Sequence, residues 1–295
     1  MKFTPLSPDF GIEAAGIDLS RPLPEADFEI LRHRFFDHQL LVLRGQSLTP
    51  TQFAAFAGRF GPPEPHVIDQ FHHPDDANIL ILSNRKKDGR PIGLADGGTY
   101  FHTDYSYLDV PARATALYSV EVPRVGGDTL FADQYAAYDA LPDAMKRRIE
   151  PLEAIHHYGN RQDQDEKSRT VASILSDAQK AKMPVITHPI ARTHPVTGRK
   201  ALYAVSGSSF GIVGMPDDEA TALLDELAAH ATRPAFQYRL KYGVGDVVVW
   251  DNASLLHSAT LIDPSDPRTL WRVTLKEPTV AATRVLAGTF ASVGT

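Results

Sequence analysis

The sequence contains no cysteine, no long apolar run and no excess of positive charge. Without cysteine the chain has no disulfides, thiolate metal sites, iron–sulfur clusters or cysteine nucleophiles, so a bound metal would need histidine and carboxylate ligands. No apolar stretch approaches the roughly 20 residues of a membrane-spanning helix. A formal charge of -6 with scattered lysine and arginine offers no basic surface to nucleic acid. We therefore expect a protein that binds neither membranes nor nucleic acids and acts on a small molecule.

The composition is that of an ordinary globular protein, with 43% hydrophobic and 22% charged residues. A β-rich chain of 295 residues often folds as one unit, and no linker or repeat divides it, so we predict a single domain over residues 1–295. The opening residues lack the continuous apolar segment and small-residue cleavage site of a secretory signal. The expected location is therefore the cytoplasm.

Short apolar runs separated by turns predict a mainly β protein with flanking helices. This pattern is typical of an antiparallel barrel or jelly roll with helices on its outside. Predicted helices begin near Glu25 and Thr49 and run over Gln134 to Ile149 and Asp217 to Thr232. Strand-like runs are Gln39 to Leu43, Asn78 to Leu82, Ala116 to Val122, Asp128 to Phe131, Val185 to Ile190, Leu202 to Val205, Phe236 to Leu240, Val247 to Trp250 and Leu270 to Leu275.

Two long polar segments, near residues 62–100 and 158–183, interrupt the pattern. Long loops inside a compact domain usually form lids or binding loops, and we expect both segments to do so. The adjacent pairs His72-His73 and His156-His157 are poor joint ligands because neighbouring side chains diverge on an extended backbone. We expect both pairs on surface loops.

A metal site is indicated by His102, Asp104 and His257, which we call the metal triad. On an extended strand, side chains two residues apart share a face, so His102 and Asp104 could reach one ion. His257 follows an apolar strand and offers a third ligand near a turn. Two histidines and one carboxylate on one face of an octahedron leave three positions open, as Fe(II) oxygenases need for a bidentate 2-oxo acid and dioxygen. A His-x-Asp pair alone is more often structural, so the other motifs in the chain decide whether it is read as a metal site.

Candidate anchors for an anionic co-substrate follow both parts of the triad. Thr129 closes a Gly-Gly-Asp-Thr motif, and Arg268 and Arg272 lie downstream of His257. An arginine fork makes two charge-assisted hydrogen bonds to a carboxylate, and a threonine hydroxyl can complete the cradle. The alternative is that both arginines are solvated strand residues.

Together these motifs resemble the taurine dioxygenase and phenoxyacetate dioxygenase (TauD/TfdA) family of Fe(II)/2-oxoglutarate enzymes. The resemblance covers nearly the whole chain and implies a double-stranded β-helix core, which is a jelly-roll, cupin-like fold. Matching elements are Leu40 to Gln46, Phe56 to Gly61, His102-Thr103-Asp104, Gly126 to Thr129, Ala136 to Pro142, Arg192 to Pro195, Gly198 to Leu202 and Trp250-Asp251-Asn252 before His257.

By position, the resemblance implies that the metal triad binds Fe(II) and that Thr129 and Arg268 hold the distal carboxylate of 2-oxoglutarate. Arg272 would meet the anionic group of the substrate or the near end of the co-substrate. Trp250-Asp251-Asn252 is interpreted as scaffold for the turn that carries His257. The resemblance also implies dioxygen as second co-substrate, stimulation by ascorbate, and a homo-oligomer, either a dimer or a tetramer.

Residues predicted to face the substrate are His66 and Asp69 on the first lid, Gly98 to Phe101 including Tyr100, and Tyr158 to Gln162. Each could equally be a solvated loop residue. The taurine-specific branch carries an aromatic residue and an asparagine near the positions of Asp69 and Gly98, which disfavours taurine. Asp69 facing a cationic group and Arg272 an anionic one would suit an amino acid or another zwitterion.

The main hypothesis is hydroxylation of a C–H bond in a small anionic or zwitterionic substrate, with release of succinate and CO2. Sulfonates, aryloxyalkanoates, sulfate esters and amino-acid-like compounds all fit. The alternatives are desaturation or cyclisation by the same chemistry, a non-catalytic barrel that binds 2-oxoglutarate, and a zinc hydrolase. The hydrolase would have no use for Thr129 and Arg268.

Overall fold

The computed structural model describes residues 1–95, 98–157 and 185–277. Among them no helix is both long and apolar enough to cross a bilayer. The strands are β1 Lys2–Pro5, β2 Ile12–Ala15, β3 Leu40–Leu43, β4 His72–His73, β5 Asp76–Ser83, β6 Lys86–Lys87, β7 Arg90–Pro91, β8 Ala112–Glu121, β9 Thr129–Asp133, β10 Glu153–His156, β11 Ile186–Pro189, β12 Ala191–Thr193, β13 Lys200–Leu202, β14 Ser209–Ile212, β15 Gln237–Leu240, β16 Val247–Asp251, β17 Leu255–Ala259 and β18 Thr269–Lys276. The α-helices are α1 Glu25–His38, α2 Pro50–Ala57, α3 Gln134–Asp139, α4 Asp143–Ile149 and α5 Asp217–Ala231. Short 3-10 helices cover Gly58–Phe60, Asp69–Phe71 and Pro234–Phe236.

Two facing sheets form the centre of the fold. The larger sheet has the strand order β1-β2-β3-β16-β8-β18-β5-β4, and the smaller has the order β15-β9-β17. Side chains from both, such as Leu117 and Leu270 from the larger and Phe131 from the smaller, belong to one buried apolar cluster. The sheets therefore pack face to face as a jelly roll, and the predicted mainly β fold with flanking helices is confirmed.

The larger sheet is buried on both faces, as β16 shows. Val247 and Val249 pack in the cluster that contains α1 and α2, whereas Val248 and Trp250 pack in the cluster between the sheets. Successive side chains of a strand point to opposite faces. A strand covered on both sides therefore reads as a continuous apolar run, which is how the sequence presents it.

Helices α1 and α2 cover the outer face of the larger sheet. Helix α2 begins at Pro50 because Thr49 and Gln52 form a capping box, in which each side chain bonds the other's backbone N–H. Phe28 of α1 meets Phe60, just beyond α2, edge to face with ring centroids 5.1 Å apart. This aromatic packing fixes the helices against the sheet that carries part of the candidate site.

Two secondary-structure predictions were wrong. The helix expected from Gln134 to Ile149 is two helices, α3 and α4, because Pro142 has no N–H to donate and disfavours helical backbone at Leu141. The strand expected from Leu202 to Val205 ends at Leu202, and Ala204 has a positive φ of 48° that a strand does not tolerate.

The histidine pairs were also misplaced. His72 and His73 form strand β4, and His156 lies on β10 with no exposed surface. The first predicted lid segment contains strands β4 to β7 and is more ordered than its composition suggests. Its role as a lid stays a prediction. The second segment, residues 158–183, lies outside the described residues.

Candidate metal and co-substrate site

The metal triad is assembled by backbone pairing between distant segments. His102 and His257 form an isolated antiparallel bridge in which each backbone N–H donates to the other's carbonyl at 2.9 Å. His257 lies on β17, whereas His102 lies on an extended segment that turns at Asp104. The prediction of one strand for His102 and Asp104 was therefore wrong, yet their side chains converge.

The three side chains point toward a common point. The Nε2 atoms of His102 and His257 lie 3.8 and 3.7 Å from the Asp104 carboxylate, and one ligand atom from each residue falls within 4.8 Å of the others. Nδ1 of His102 lies 2.9 Å from the carbonyl of Tyr100. A nitrogen that bonds a carbonyl must carry the proton, so Nε2 keeps its lone pair for a metal. The donor set fits Fe(II).

Burial and charge prepare these groups as ligands. Burial would raise the pKa of the Asp104 carboxyl, but Arg272 and the two histidines outweigh it and hold that pKa well below its usual value. Burial, with a smaller effect from His102, lowers the pKa of His257 to about 3. Metal ligands must be deprotonated, so the site is ready to bind a cation at neutral pH.

Two glycines make room for the His102 ring. A Cβ at Gly98 would collide with Cε1 of His102, and one at Gly207 would lie 2.7 Å from its Cβ. Both glycines also have positive φ angles, 104° and 89°. Gly98 was predicted to line the substrate pocket, and its contact with a ligand ring was not foreseen.

A hydrogen-bonded network lies behind Asp104. Thr115 donates from Oγ1 to Oδ2 of Asp104 at 2.6 Å and accepts from Nδ2 of Asn252 at 2.9 Å. Oδ1 of Asn252 accepts from Nε1 of Trp250 at 3.1 Å and from the backbone N–H of Asp104 at 3.3 Å. The sequence interpretation missed Thr115. A polar residue inside the buried run of β8 was the available signal.

A cavity brings His257 of the triad together with the predicted anchors. Its empty space, including its opening to solvent, is about 350 Å³. Thr129, Arg268 and Arg272 are all at least 90% buried, so the alternative of solvated arginines was wrong. The lining residues are Leu82, Leu117, Thr129, Trp250, His257, Ala259, Arg268 and Arg272.

Strand register explains why these residues meet. Thr129 on β9 is the partner of Ala259 on β17, two residues beyond His257 and therefore on the same face. Arg272 on β18 is the partner of Leu117 on β8. Arg268 precedes β18 by one residue and lines the same cavity as Arg272. Both sheets thus contribute to one interior site.

Tyr242 was not predicted and extends the cradle. Its hydroxyl lies 2.8 Å from Oγ1 of Thr129, and burial raises its pKa to about 12 despite the Thr129 hydrogen bond and the charge of Arg268. The phenol therefore stays protonated and can direct the Thr129 hydroxyl.

The predicted substrate residues divide into two groups. His66 is buried, and burial together with Arg272 holds its pKa well below the usual value, while Asp104 opposes this. The half-buried ring of Tyr100 lies 5.1 Å from that of His102. These two residues border the triad. Asp69 is exposed on its 3-10 helix. Tyr158 to Gln162 lie outside the described residues.

Arg272 is in direct contact with the triad. Its Nη1 lies 3.5 Å from Oδ1 of Asp104, and both side chains are more than 90% buried. A guanidinium at this distance places positive charge at the border between the metal position and the space around His66. An anionic group that entered there would be attracted.

Three comparisons with known proteins identify the family of this chain. Residues 2–274 match the family described as taurine catabolism dioxygenase TauD, TfdA family. An alpha-ketoglutarate-dependent 2,4-dichlorophenoxyacetate dioxygenase from Cupriavidus pinatubonensis is 35% identical over 94% of this chain and 98% of its own. Pentalenolactone F synthase from Streptomyces arenae is 31% identical over 92% and 94%.

A solved structure extends the match to three dimensions. The crystal structure of AAD-2 in complex with Mn(II) and N-oxalylglycine superposes with a TM-score of 0.80 at 32% identity, and the match covers 94% of this chain and all of the other. The agreement therefore includes the sheets that carry the triad and the cavity. The chain belongs to the TauD/TfdA family and is an alpha-ketoglutarate-dependent dioxygenase.

Proposed function

We propose that this dioxygenase uses Fe(II), held by His102, Asp104 and His257, to hydroxylate a C–H bond of a small anionic or zwitterionic substrate. The observation that carries the proposal is the single cavity in which a triad histidine lies beside two buried arginines. When bound, Fe(II) would supply the redox chemistry by which dioxygen is reduced while 2-oxoglutarate is converted to succinate and CO2.

The chain's own residues account for binding and orientation of the co-substrate. Arg268 and Thr129 offer a guanidinium and a hydroxyl to the distal carboxylate of 2-oxoglutarate, and Tyr242 holds the hydroxyl. Trp250, Leu82 and Leu117 give the cavity apolar walls that exclude water. The AAD-2 complex supports this arrangement, because N-oxalylglycine is an oxo diacid like 2-oxoglutarate.

The substrate would meet Arg272 and His66. Arg272 is always protonated and would bind a carboxylate, sulfonate or sulfate, whereas His66 is neutral and could accept or donate one hydrogen bond. Relatives that act on aryloxyalkanoates, such as the 2,4-dichlorophenoxyacetate dioxygenase, support an anionic substrate. Because Asp69 is exposed, its proposed contact with a cationic group would need a substrate that reaches the surface of the 3-10 helix.

The decisive experiment is succinate formation from 2-oxoglutarate with Fe(II), ascorbate and oxygen, screened over sulfonates, aryloxyalkanoates, sulfate esters and amino acids. One compound class should stimulate succinate release, ascorbate should increase it, and His102→Ala should abolish it. Zn(II) in place of Fe(II) should give none. Absence of succinate for all classes, with Fe(II) and 2-oxoglutarate bound, would contradict hydroxylation of these substrates.

The co-substrate anchor has its own test. Arg268→Lys keeps the charge but loses the planar fork, and should weaken 2-oxoglutarate binding about 10-fold or more. Arg239→Lys is the matched control, because this arginine is more than half exposed and bonds Asp128 outside the cavity. Equal 2-oxoglutarate affinities in the two variants would remove Arg268 from the proposed cradle.

A second outcome of the same chemistry is desaturation or cyclisation. The resemblance to pentalenolactone F synthase, a relative named for the compound that it makes, favours this second outcome. Mass spectrometry of the product distinguishes the two, because hydroxylation adds one oxygen atom and desaturation removes two hydrogens.

The expected homo-oligomer, a dimer or tetramer, is checked by light scattering, and the expected cytoplasmic location by fractionation.

A further inference from the structure

Thr115 and Asn252 connect the metal triad to the strands behind it through side chains that are almost completely buried. Thr115, Asn252 and Asp104 are 0%, 1% and 5% exposed. Thr115 is on β8, and Asn252 directly follows β16, the neighbouring strand of the larger sheet. Buried hydrogen bonds of this kind compete little with water and hold their partners in one arrangement.

The direction of every bond in this network is fixed by chemistry. The indole N–H of Trp250 can only donate, so the atom of Asn252 that faces it is the amide oxygen. The amide nitrogen therefore faces Thr115 and donates to its hydroxyl oxygen. The single hydroxyl proton of Thr115 is left for Oδ2 of Asp104, an ionised carboxylate oxygen at 2.6 Å.

We propose that Thr115 and Asn252 are positioning residues that engage one oxygen of the Asp104 carboxylate and so make Asp104 a single-oxygen ligand of the metal. This inference rests on the proposed Fe(II) function. A carboxylate that bound through both oxygens would occupy a position that the 2-oxo acid or dioxygen needs. The charge-assisted bond from Thr115 opposes that binding mode.

Asn252 has a second connection that Thr115 lacks. Its amide oxygen accepts from the backbone N–H of Asp104 and from Trp250, whose ring lies 4.7 Å from that of His257 and also lines the co-substrate cavity. One amide thus links the carboxylate ligand, the packing of a histidine ligand and the cavity wall. Loss of Asn252 should therefore disturb the site more than loss of the Thr115 hydroxyl.

The test uses Thr115→Val, which removes the hydroxyl and nearly keeps the shape. Co(II) is titrated into the metal-free protein against a competing chelator, and visible absorption reports the coordination of the ion. We expect Co(II) affinity to fall about 10-fold to 100-fold, as is usual when a partner of a metal ligand is removed. The absorption bands should change, and 2-oxoglutarate should bind the Co(II) protein more weakly. Thr115→Ser should restore all three.

Thr274→Val is the matched control. Thr274 is the register partner of Thr115 on β18 and is 3% exposed, but its hydroxyl bonds Tyr105 instead of Asp104. It should bind Co(II) with native affinity and native bands. Asn252→Ala is the second variant and should lose more affinity than Thr115→Val, with folding of each variant checked by circular dichroism.

The outcomes separate this inference from the proposed function. Native affinity and native bands in Thr115→Val, or in Asn252→Ala should Thr115→Val not fold, would overturn the positioning role while leaving the metal site intact. Failure of the unmodified protein to bind Co(II) would instead contradict the metal site and the proposed function. Lost affinity in the control Thr274→Val to the same extent would show a general effect of removing a buried hydroxyl, and would also overturn the inference.

Discussion

Two buried groups in the described part of the chain combine histidine with aspartate, and their side chains contact each other in different ways. In the first, Nε2 of His194 donates to Asp251 at 2.8 Å while its Nδ1 accepts from two backbone N–H groups, and neither side chain has exposed surface. In the metal triad, both Nε2 atoms stay 3.7 to 3.8 Å from Asp104, beyond hydrogen-bond distance.

The difference shows that residue type and burial do not by themselves make a metal site. The His194–Asp251 pair uses its lone pairs and protons within the protein, so nothing is left for an ion. The triad instead turns one ligand atom of each side chain toward a common point, with both Nε2 atoms beyond hydrogen-bond distance of the carboxylate. The sequence interpretation of Asp251 as scaffold agrees with this geometry.

The largest expected effect on the metal triad is that of Asp104→Ala. We expect turnover below detection, because two neutral histidines bind Fe(II) weakly and the charge that balances the cation is gone. Mn(II) at 100 times the native dissociation constant should stabilise the native protein by about 2.7 kcal/mol and this variant not at all. Thermal unfolding with and without Mn(II) measures this, and Mn(II) stabilisation of Asp104→Ala would contradict the assigned ligand.

His194→Ala should give the opposite result. It leaves Oδ2 of the buried Asp251 carboxylate without its hydrogen-bond donor, which should lower the free energy of unfolding by about 3 kcal/mol. Metal affinity should stay within about 3-fold of native, because His194 does not face the triad. Urea unfolding and metal titration of the same preparation separate the two effects. A large loss of affinity with little loss of stability would reverse our assignment.

Gly98→Ala tests whether metal binding needs the space beside the His102 ring. The added Cβ would displace His102, and we expect metal affinity to fall about 10-fold to 100-fold. Gly16→Ala is the control, because Gly16 also has a positive φ, 80°, but a Cβ there meets nothing within 4 Å. If both variants lose affinity equally, backbone strain and not the collision is responsible.

The smallest expected effect concerns His156, a buried imidazole with no carboxylate partner among the residues that the structure describes. Burial, with a smaller effect from His188, lowers its pKa from 6.5 to about 3. Between these two pH values His156 is protonated in the unfolded chain but neutral in the folded chain. The free energy of unfolding is therefore highest above pH 6.5 and decreases as the pH falls toward 3. The loss attributable to His156 should be about 1 kcal/mol between pH 6.5 and 5.5.

His156→Gln should flatten this part of the stability curve, measured by urea unfolding at several pH values. His157→Gln is the adjacent control and should keep the native slope, since His157 is only half-buried. An unchanged slope in His156→Gln would mean that another group carries the acid sensitivity.

Much of the site could be predicted because its chemistry depends on residue types that the sequence displays directly. The absence of cysteine leaves histidine and carboxylate as ligands, and His102, Asp104 and His257 were identified from their spacing and from the family resemblance. Thr129, Arg268 and Arg272 were expected as anchors and do line one cavity with His257. Their roles in binding remain predictions.

What was missed depends on contacts between distant segments. Thr115 and Asn252 are 137 residues apart in the chain, and only the pairing of β8 with β16 brings them together. Likewise nothing local to Gly98 reveals that a histidine ring lies against it. The adjacent histidines also misled, because being poor joint ligands did not place them on surface loops: His156 lies on β10 with no exposed surface.

The residue types in the sequence indicate which atoms can bind a metal and an anionic co-substrate. The apolar runs indicate which segments form buried strands. These are properties of residue type and of period-two spacing, which do not need long-range information. The three-dimensional arrangement settles which histidine and aspartate close into a direct hydrogen bond and which turn their ligand atoms toward one point. That distinction between His194–Asp251 and the metal triad depends on sheet register and on angstrom-scale distances between side chains far apart in sequence.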